Sequence, residues 1–185
     1  MARVKGAAIV ESVRVLRRHK DSARTHLPPA LHHYLEERVL AASWYPAEDQ
    51  IPLTRAVARV LGEPEHGFYE KAGRFAAQRH AEGVYRHLVK AEDSETLCRR
   101  ALVLWSSQHD TGAMEMQVQG AGCARVALRD FRMSTREMCL LNAGYIAATF
   151  ENAGCEGVRV EHQSCCCDGA PVCTWLVSWL NKIRV

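Results

Sequence analysis

The stretch TGAMEMQVQGAGCARVALRD, Thr111 to Asp130, decides the fold class. Met114, Met116 and Val118 alternate with Glu115, Gln117 and Gln119, the period of a strand with one buried face. A Gly-Ala-Gly turn follows, and Ala124, Val126 and Leu128 then alternate again, so the spacing predicts a β-hairpin.

Working outward, the first 110 residues read as helical. In GAAIVESVRVLRRH, Ala7, Val10, Val13 and Leu16 recur at three-residue steps. LPPALHHYLEERVL begins with prolines that suit a helix's first turn and carries Leu31, Leu35 and Val39 at steps of four. ASWYPAEDQIPLTRAVARVLG opens on an aromatic loop and stops at Gly62. A long helix is predicted over 67–89, with Phe68, Ala72, Phe75, Ala76, Val84 and Leu88 on its apolar side, and the next is capped by Asp93 or Ser94.

Downstream, Ser134 and Glu137 form a capping box for a helix that runs to Asn152 and stops at Gly154. Val158, Val160 and His162 share one side of a strand; Cys173, Trp175, Val177 and Trp179 share one side of another. The order is five helices, hairpin, helix, hairpin. This is an α+β class: N-terminal helices packed with a four-stranded antiparallel sheet in ββαββ order. The reading is one domain over 1–185, with a helical half (1–110) and a ββαββ half (111–185) that carries the cysteine cluster.

A net charge of +3, from 24 basic and 21 acidic residues, argues against a nucleic-acid partner. The basic run Arg14–Lys20 reads as a solvated helix face. No run of 18 apolar residues occurs, which argues against a membrane span, and Glu11 interrupts the short N-terminal apolar run, so no secretory signal is expected. The expected location is the cytoplasm, where thiols stay reduced.

Four of the eight cysteines, Cys165, Cys166, Cys167 and Cys173, fall within nine positions at the predicted tip of the second hairpin. His162 lies three positions before Cys165. On a regular strand the two face opposite sides, so they share one ion only if the strand turns at Gln163 or Ser164. Cys139 lies in the first turn of the preceding helix. If that turn faces the hairpin tip, Cys139, His162, Cys165 and Cys173 form a three-thiolate, one-imidazole set that zinc favours. Reduced packing cysteines and redox chemistry are the alternatives. There is no paired CxxC.

The segment Cys139 to Trp179 resembles the C-terminal half of the 4-vinyl reductase domain, through Cys139, Gly144-Tyr145, His162, Cys165, Gly169, Cys173 and Trp175. The whole chain is also similar to a myxobacterial paralogous family of related domains. The resemblance implies the ligand-binding fold shared by nitric-oxide signalling and Golgi-transport (TRAPP) proteins. It implies a structural zinc on Cys139, Cys165 and Cys173, with His162 where relatives carry a carboxylate, and a homodimer. The implied function is a non-catalytic, signalling sensor of a small hydrophobic or aromatic molecule.

Such a sensor needs an apolar cavity. Trp105, Phe131, Tyr145, Phe150 and Trp175 are its expected walls; His87, and His80 one heptad earlier, are its expected polar handles. Output is expected through a separate signalling partner protein. The alternatives are a TRAPP-like scaffold anchored by Trp44-Tyr45, a reductase, a thiol hydrolase using Cys166 or Cys167 with His162, and a haem-based gas sensor. Haem is set aside because none of the nine histidines has a distinctive context.

Overall fold

A computed structural model describes residues 1–83, 85–89 and 93–180. Its elements are β1 (Arg3–Lys5), α1 (Val10–Arg18), α2 (Lys20–His26), β2 (Trp44–Pro46), α3 (Gln50–Leu61), α4 (Glu65–Glu82), α5 (Arg86–Val89), α6 (Ser94–Gln108), β3 (Ala113–Gly120), β4 (Cys123–Arg129), α7 (Arg136–Asn152), β5 (Arg159–Ser164) and β6 (Cys173–Ser178). The fold is mixed helix plus antiparallel sheet. β3, β4, β6 and β5 lie side by side in that order, every pair antiparallel.

The alternation around Thr111 becomes the β3–β4 hairpin, with Met116 opposite Val126 and Met114 opposite Leu128. Central strands β4 and β6 bury Val126, Leu128, Cys173, Trp175 and Val177 almost completely. α6 and α7 cover that face with Leu97, Met138, Ile146 and Phe150, and a second core of Val4, Ile9, Val13, Leu16 and Leu53 joins β1, α1 and α3. Among the described residues no helix is long and apolar enough to cross a membrane.

α4 and α7 meet at glycines. A Cβ on Gly144 would stand 2.0 Å from the Glu70 carbonyl oxygen, and one on Gly73 would stand 2.0 Å from that of Leu141. The absent side chains let the two backbones touch. Arg55 of α3 ties the assembly by donating to the Tyr69 hydroxyl (3.2 Å) of α4 and to Glu137 (2.6 Å) of α7.

Several local expectations change. The 28–40 segment is a 3-10 helix over Pro29–Leu35. It buries Leu31, Tyr34 and Leu35; the Leu31–Tyr34 step of three matches the 3-10 period, which the Leu31–Leu35–Val39 reading passed over. The aromatic loop at Trp44-Tyr45 is strand β2, paired with β1, and Lys5 sits 4.0 Å over the Trp44 ring. The long helix ends at Glu82, because Gly83 takes a non-helical conformation (ψ −146°); Val84 lies outside the described residues. Asp93 caps α6 by accepting from the Thr96 N–H (2.7 Å). The cap of α7 is Thr135, which accepts from the Met138 N–H (3.1 Å), while the Ser134 hydroxyl donates to the Phe131 carbonyl (2.9 Å).

Candidate functional site

The cap at Thr135 starts α7 so that Cys139, one turn in, faces the tip of the β5–β6 hairpin. Its sulfur lies 3.8 Å from that of Cys165 and 3.6 Å from that of Cys173. Sulfurs around one tetrahedral ion at bonds of about 2.3 Å stand about 3.8 Å apart. The four donor atoms of Cys139, His162, Cys165 and Cys173 all lie within 4.8 Å of one another. His162 joins them because the β5–β6 register shifts between His162 and Ser164, the turn that a shared ion requires. Its exposed ring stacks on Trp175 (centroids 5.2 Å, 16° between planes).

The hairpin tip supplies further donors. The Cys166 N–H points to the Cys173 sulfur (3.3 Å) and the Cys167 N–H to the Cys165 sulfur (3.4 Å). Backbone donors on sulfur favour the charged thiolate. Burial, with the neighbouring Cys173 and Cys165 sulfurs, pushes the Cys139 thiol far up. Burial also acts upward on Cys173, but the Cys166 N–H and adjoining thiols outweigh it and leave that group lowered. Cys166 and Cys167 are exposed, and burial and neighbouring thiols raise both. A reactive thiol is instead lowered by its surroundings.

The second feature is a cavity of about 460 Å³ between α1, α3, α4, α6, α7 and β3. Trp105, Tyr145 and Phe150 line it. The other expected wall and handle residues lie elsewhere. Phe131 packs edge-on behind Trp105 (5.3 Å), Trp175 is sealed within the sheet core, and His87 is exposed on α5. His80 does line the cavity, together with Gln50, Gln108, His109 and Asn142, which sequence reasoning passed over.

These polar groups follow a consistent hydrogen-bond logic. The Gln108 amide nitrogen, a donor only, lies 3.3 Å from His80 Nδ1, so Nδ1 is the acceptor and the Tyr145 hydroxyl donates to it at 2.8 Å. His80 also hydrogen-bonds the Ala7 backbone, and burial lowers its pKa. His109 ends α6 with its ring stacked on Trp105 (3.8 Å, 12°). Its Nδ1 faces the Trp105 carbonyl (3.3 Å) and so carries the proton, which leaves Nε2 as the lone pair. Burial pushes the His109 pKa down to about 4. Asn142 and Gln50 line the cavity, and Asn142 Nδ2 and Gln50 Oε1 are buried without a partner. At its edge Lys71 pairs with Glu63 (2.7 Å) and Arg79 with Glu82 (2.9 Å).

No family model and no curated protein matches the sequence. Solved structures do. The chain is similar to the H-NOX domain of Shewanella oneidensis in its Fe(II)CO state, at 16% identity and TM-score 0.68, over 96% of this chain and 99% of that one. It is similar to an oxygen-binding H-NOX domain related to soluble guanylate cyclases, at 12% identity and TM-score 0.67, over 98% and 97%. A third structure concerns haem distortion in the H-NOX family, at 11% identity and TM-score 0.65, over 98% and 97%. None of these findings supports the 4-vinyl reductase assignment. They also overturn the setting aside of haem, because the similar structures are described by haem and by iron–gas states. What the likeness shows is the fold: the helices and antiparallel sheet of this chain are arranged as in these H-NOX domains.

Proposed function

We propose that this chain is a non-catalytic sensory module that binds a small, largely apolar molecule in the cavity beneath α7. The observation that carries the reading is the cavity's lining: apolar walls that carry Asn142 and Gln50, whose Nδ2 and Oε1 atoms are buried without a partner. An unsatisfied buried polar atom costs about 1–3 kcal/mol, so a ligand that satisfies it gains affinity by that route.

The same helix carries the metal reading. α7 places Cys139 in its first turn and Asn142, Tyr145 and Phe150 in the turns that wall the cavity. A zinc ion on Cys139, His162, Cys165 and Cys173 would pin the start of α7 to the hairpin tip. Ligand occupancy would then bias how the rest of α7 packs on α4, a population shift read by a second copy of the chain or by a separate partner.

One observation favours haem as the ligand. His109 is neutral, its Nδ1–H is anchored on a backbone carbonyl and its Nε2 is open, the arrangement of a metal-ligating histidine. His109 would hold the iron, and Lys71 and Arg79 at the edge would meet the propionates. Bound haem would supply an iron able to take a diatomic gas.

Native mass spectrometry of the chain purified without additives tests the reading, followed by titration with hemin. One small molecule or one haem per chain is expected, lost in Ala76→Phe, which fills the cavity. A wild-type chain that carries nothing, and is stabilised neither by hemin nor by a hydrophobic probe dye, would overturn it. Haem binding that survives unchanged in His109→Ala would remove His109 as the iron ligand.

A further inference from the structure

The basic run Arg14–Lys20 does more than face solvent, because it borders a groove on the side of α1 away from the thiol cluster. The groove has a volume of about 390 Å³ and is lined by Val10, Val13, Arg14, Arg17, Arg18 and Val39. The five residues from α1 stand at i, i+3, i+4, i+7 and i+8, the spacing of one helix side. Half of the lining is valine, half is arginine, and no carboxylate belongs to it.

The three guanidinium groups are not equally engaged. Arg14 holds both Glu11 carboxylate oxygens through one nitrogen (2.8 and 2.9 Å). Arg17 donates to the Tyr34 and Glu37 backbone carbonyls, which fix it in place without cancelling its charge. The Arg18 side chain is exposed and makes no hydrogen bond or ion pair among the described residues. The groove thus keeps two uncompensated positive charges beside three apolar side chains.

We propose that this groove docks an acidic, amphipathic segment of a partner protein, its carboxylates on Arg17 and Arg18 and its apolar side chains on the valines. Charge complementarity decides the occupant. A small anion would use the guanidiniums and leave the valines in water. A second copy of this groove would set arginine against arginine. A nucleic acid calls for a larger basic excess than the +3 of this chain. An amphipathic segment laid in a groove meets both halves of the lining.

The same helix ties the groove to the cavity. Val10 lines both, and Glu11 and Val15 line the cavity. Glu11 holds Arg14 of the groove and also faces Arg79 at the cavity edge, at 3.9 Å. Use of the groove as the sensor's output rests on the ligand-binding reading; the docking itself does not.

The test measures binding of the full chain, by fluorescence anisotropy, to a synthetic helical peptide with glutamates on one side and leucines on the other. The wild type is expected to bind it, and Arg18→Glu to bind at least about tenfold more weakly. Arg159→Glu, the same charge change on β5, should bind as the wild type does. A scrambled peptide of the same composition, and polyglutamate, should bind at least about tenfold more weakly than the patterned peptide. No binding by the wild type would overturn the proposal. So would equal binding by Arg18→Glu, equal losses in Arg18→Glu and Arg159→Glu, or controls that bind as tightly as the patterned peptide. Arg18 has no side-chain partner to lose, so its variant should keep the wild-type circular dichroism and Tm; if it does not, Val39→Asn decides by the same comparison. Repeating the titration with hemin-saturated chain separates the two readings. Peptide affinity unchanged by bound hemin removes the output role and leaves the docking, whereas a chain that takes up no hemin bears on the cavity alone.

Discussion

Cys139 and Cys173 stand 34 positions apart in the chain, yet their sulfurs lie 3.6 Å apart. Three buried thiols in such contact repel when ionised unless a cation sits among them, and a structural ion contributes its binding free energy directly to folding. Cys173→Ser is expected to lower bound zinc from near one per chain to a small fraction, measured by elemental analysis. Loss of a metal belongs to the few mechanisms that cost about 4 kcal/mol or more. For a chain of this size that lowers Tm by on the order of 8 °C or more. A Tm within a degree of wild type would remove any structural role for the cluster.

The α4–α7 contact gives a prediction with an internal control. Gly144→Ala places a Cβ 2.0 Å from the Glu70 carbonyl oxygen, backbone that has nowhere to retreat. The expected loss is about 1–3 kcal/mol, read as a lower urea midpoint. Gly67, also helical in α4, has nothing within 4 Å of its built Cβ. Gly67→Ala is expected to gain roughly 0.5–1 kcal/mol, because alanine holds a helix better than glycine. If both variants shift the same way, the close approach is not what fixes these glycines.

His109 predicts how stability responds to acid. Its folded pKa, pushed down to about 4, lies below its ordinary value of 6.5. Below about 6.5 the unfolded chain takes up a proton that the folded chain refuses, so stability is full above that pH and is lost as pH falls toward 4. Between pH 7 and pH 5 the expected loss is roughly 1–2 kcal/mol, allowing for partial exposure of the ring, and the lowered His80 adds to it in the same direction. Urea melts at both pH values measure it. His109→Phe keeps a ring against Trp105 and should flatten this part of the slope; an unchanged slope would place the acid sensitivity elsewhere.

The sheet half was legible because a strand's period of two is hard to imitate: Met114, Met116 and Val118 announce β3, and Trp175 and Val177 announce β6. The convergence of Cys139, His162, Cys165 and Cys173 was legible too, since hairpin tips close short separations and the required turn falls between His162 and Ser164. What was not legible depended on tertiary contact. β1 is only Arg3–Lys5, and it exists because Trp44–Pro46, some 40 residues later, pairs with it. Ser134 and Thr135 are both good caps, and only the Phe131 carbonyl, which takes the Ser134 hydroxyl, decides between them. His109 looked ordinary because its distinguishing features, a carbonyl on Nδ1 and a tryptophan face, belong to the end of α6 rather than to the sequence around it. Asn142 was hidden in an otherwise apolar helix.

Asn142 separates binding from stability most sharply. It is 6% exposed, its Nδ2 has no partner, and it faces the cavity from α7, one turn before Tyr145. A residue kept for packing alone would be better as leucine, of similar size and without a polar atom to bury. Asn142→Leu is therefore expected to hold or raise stability by up to about 1 kcal/mol, since replacing an unsatisfied buried polar group removes its desolvation penalty. The same change should weaken binding of the molecule recovered from the purified chain by about three- to tenfold, the net worth of one hydrogen bond. Urea melts and isothermal titration on the same preparations give the two numbers. Opposite signs identify Asn142 as a ligand contact. A variant that loses stability and leaves binding untouched would show instead that the amide is satisfied within the fold and takes no part in recognition.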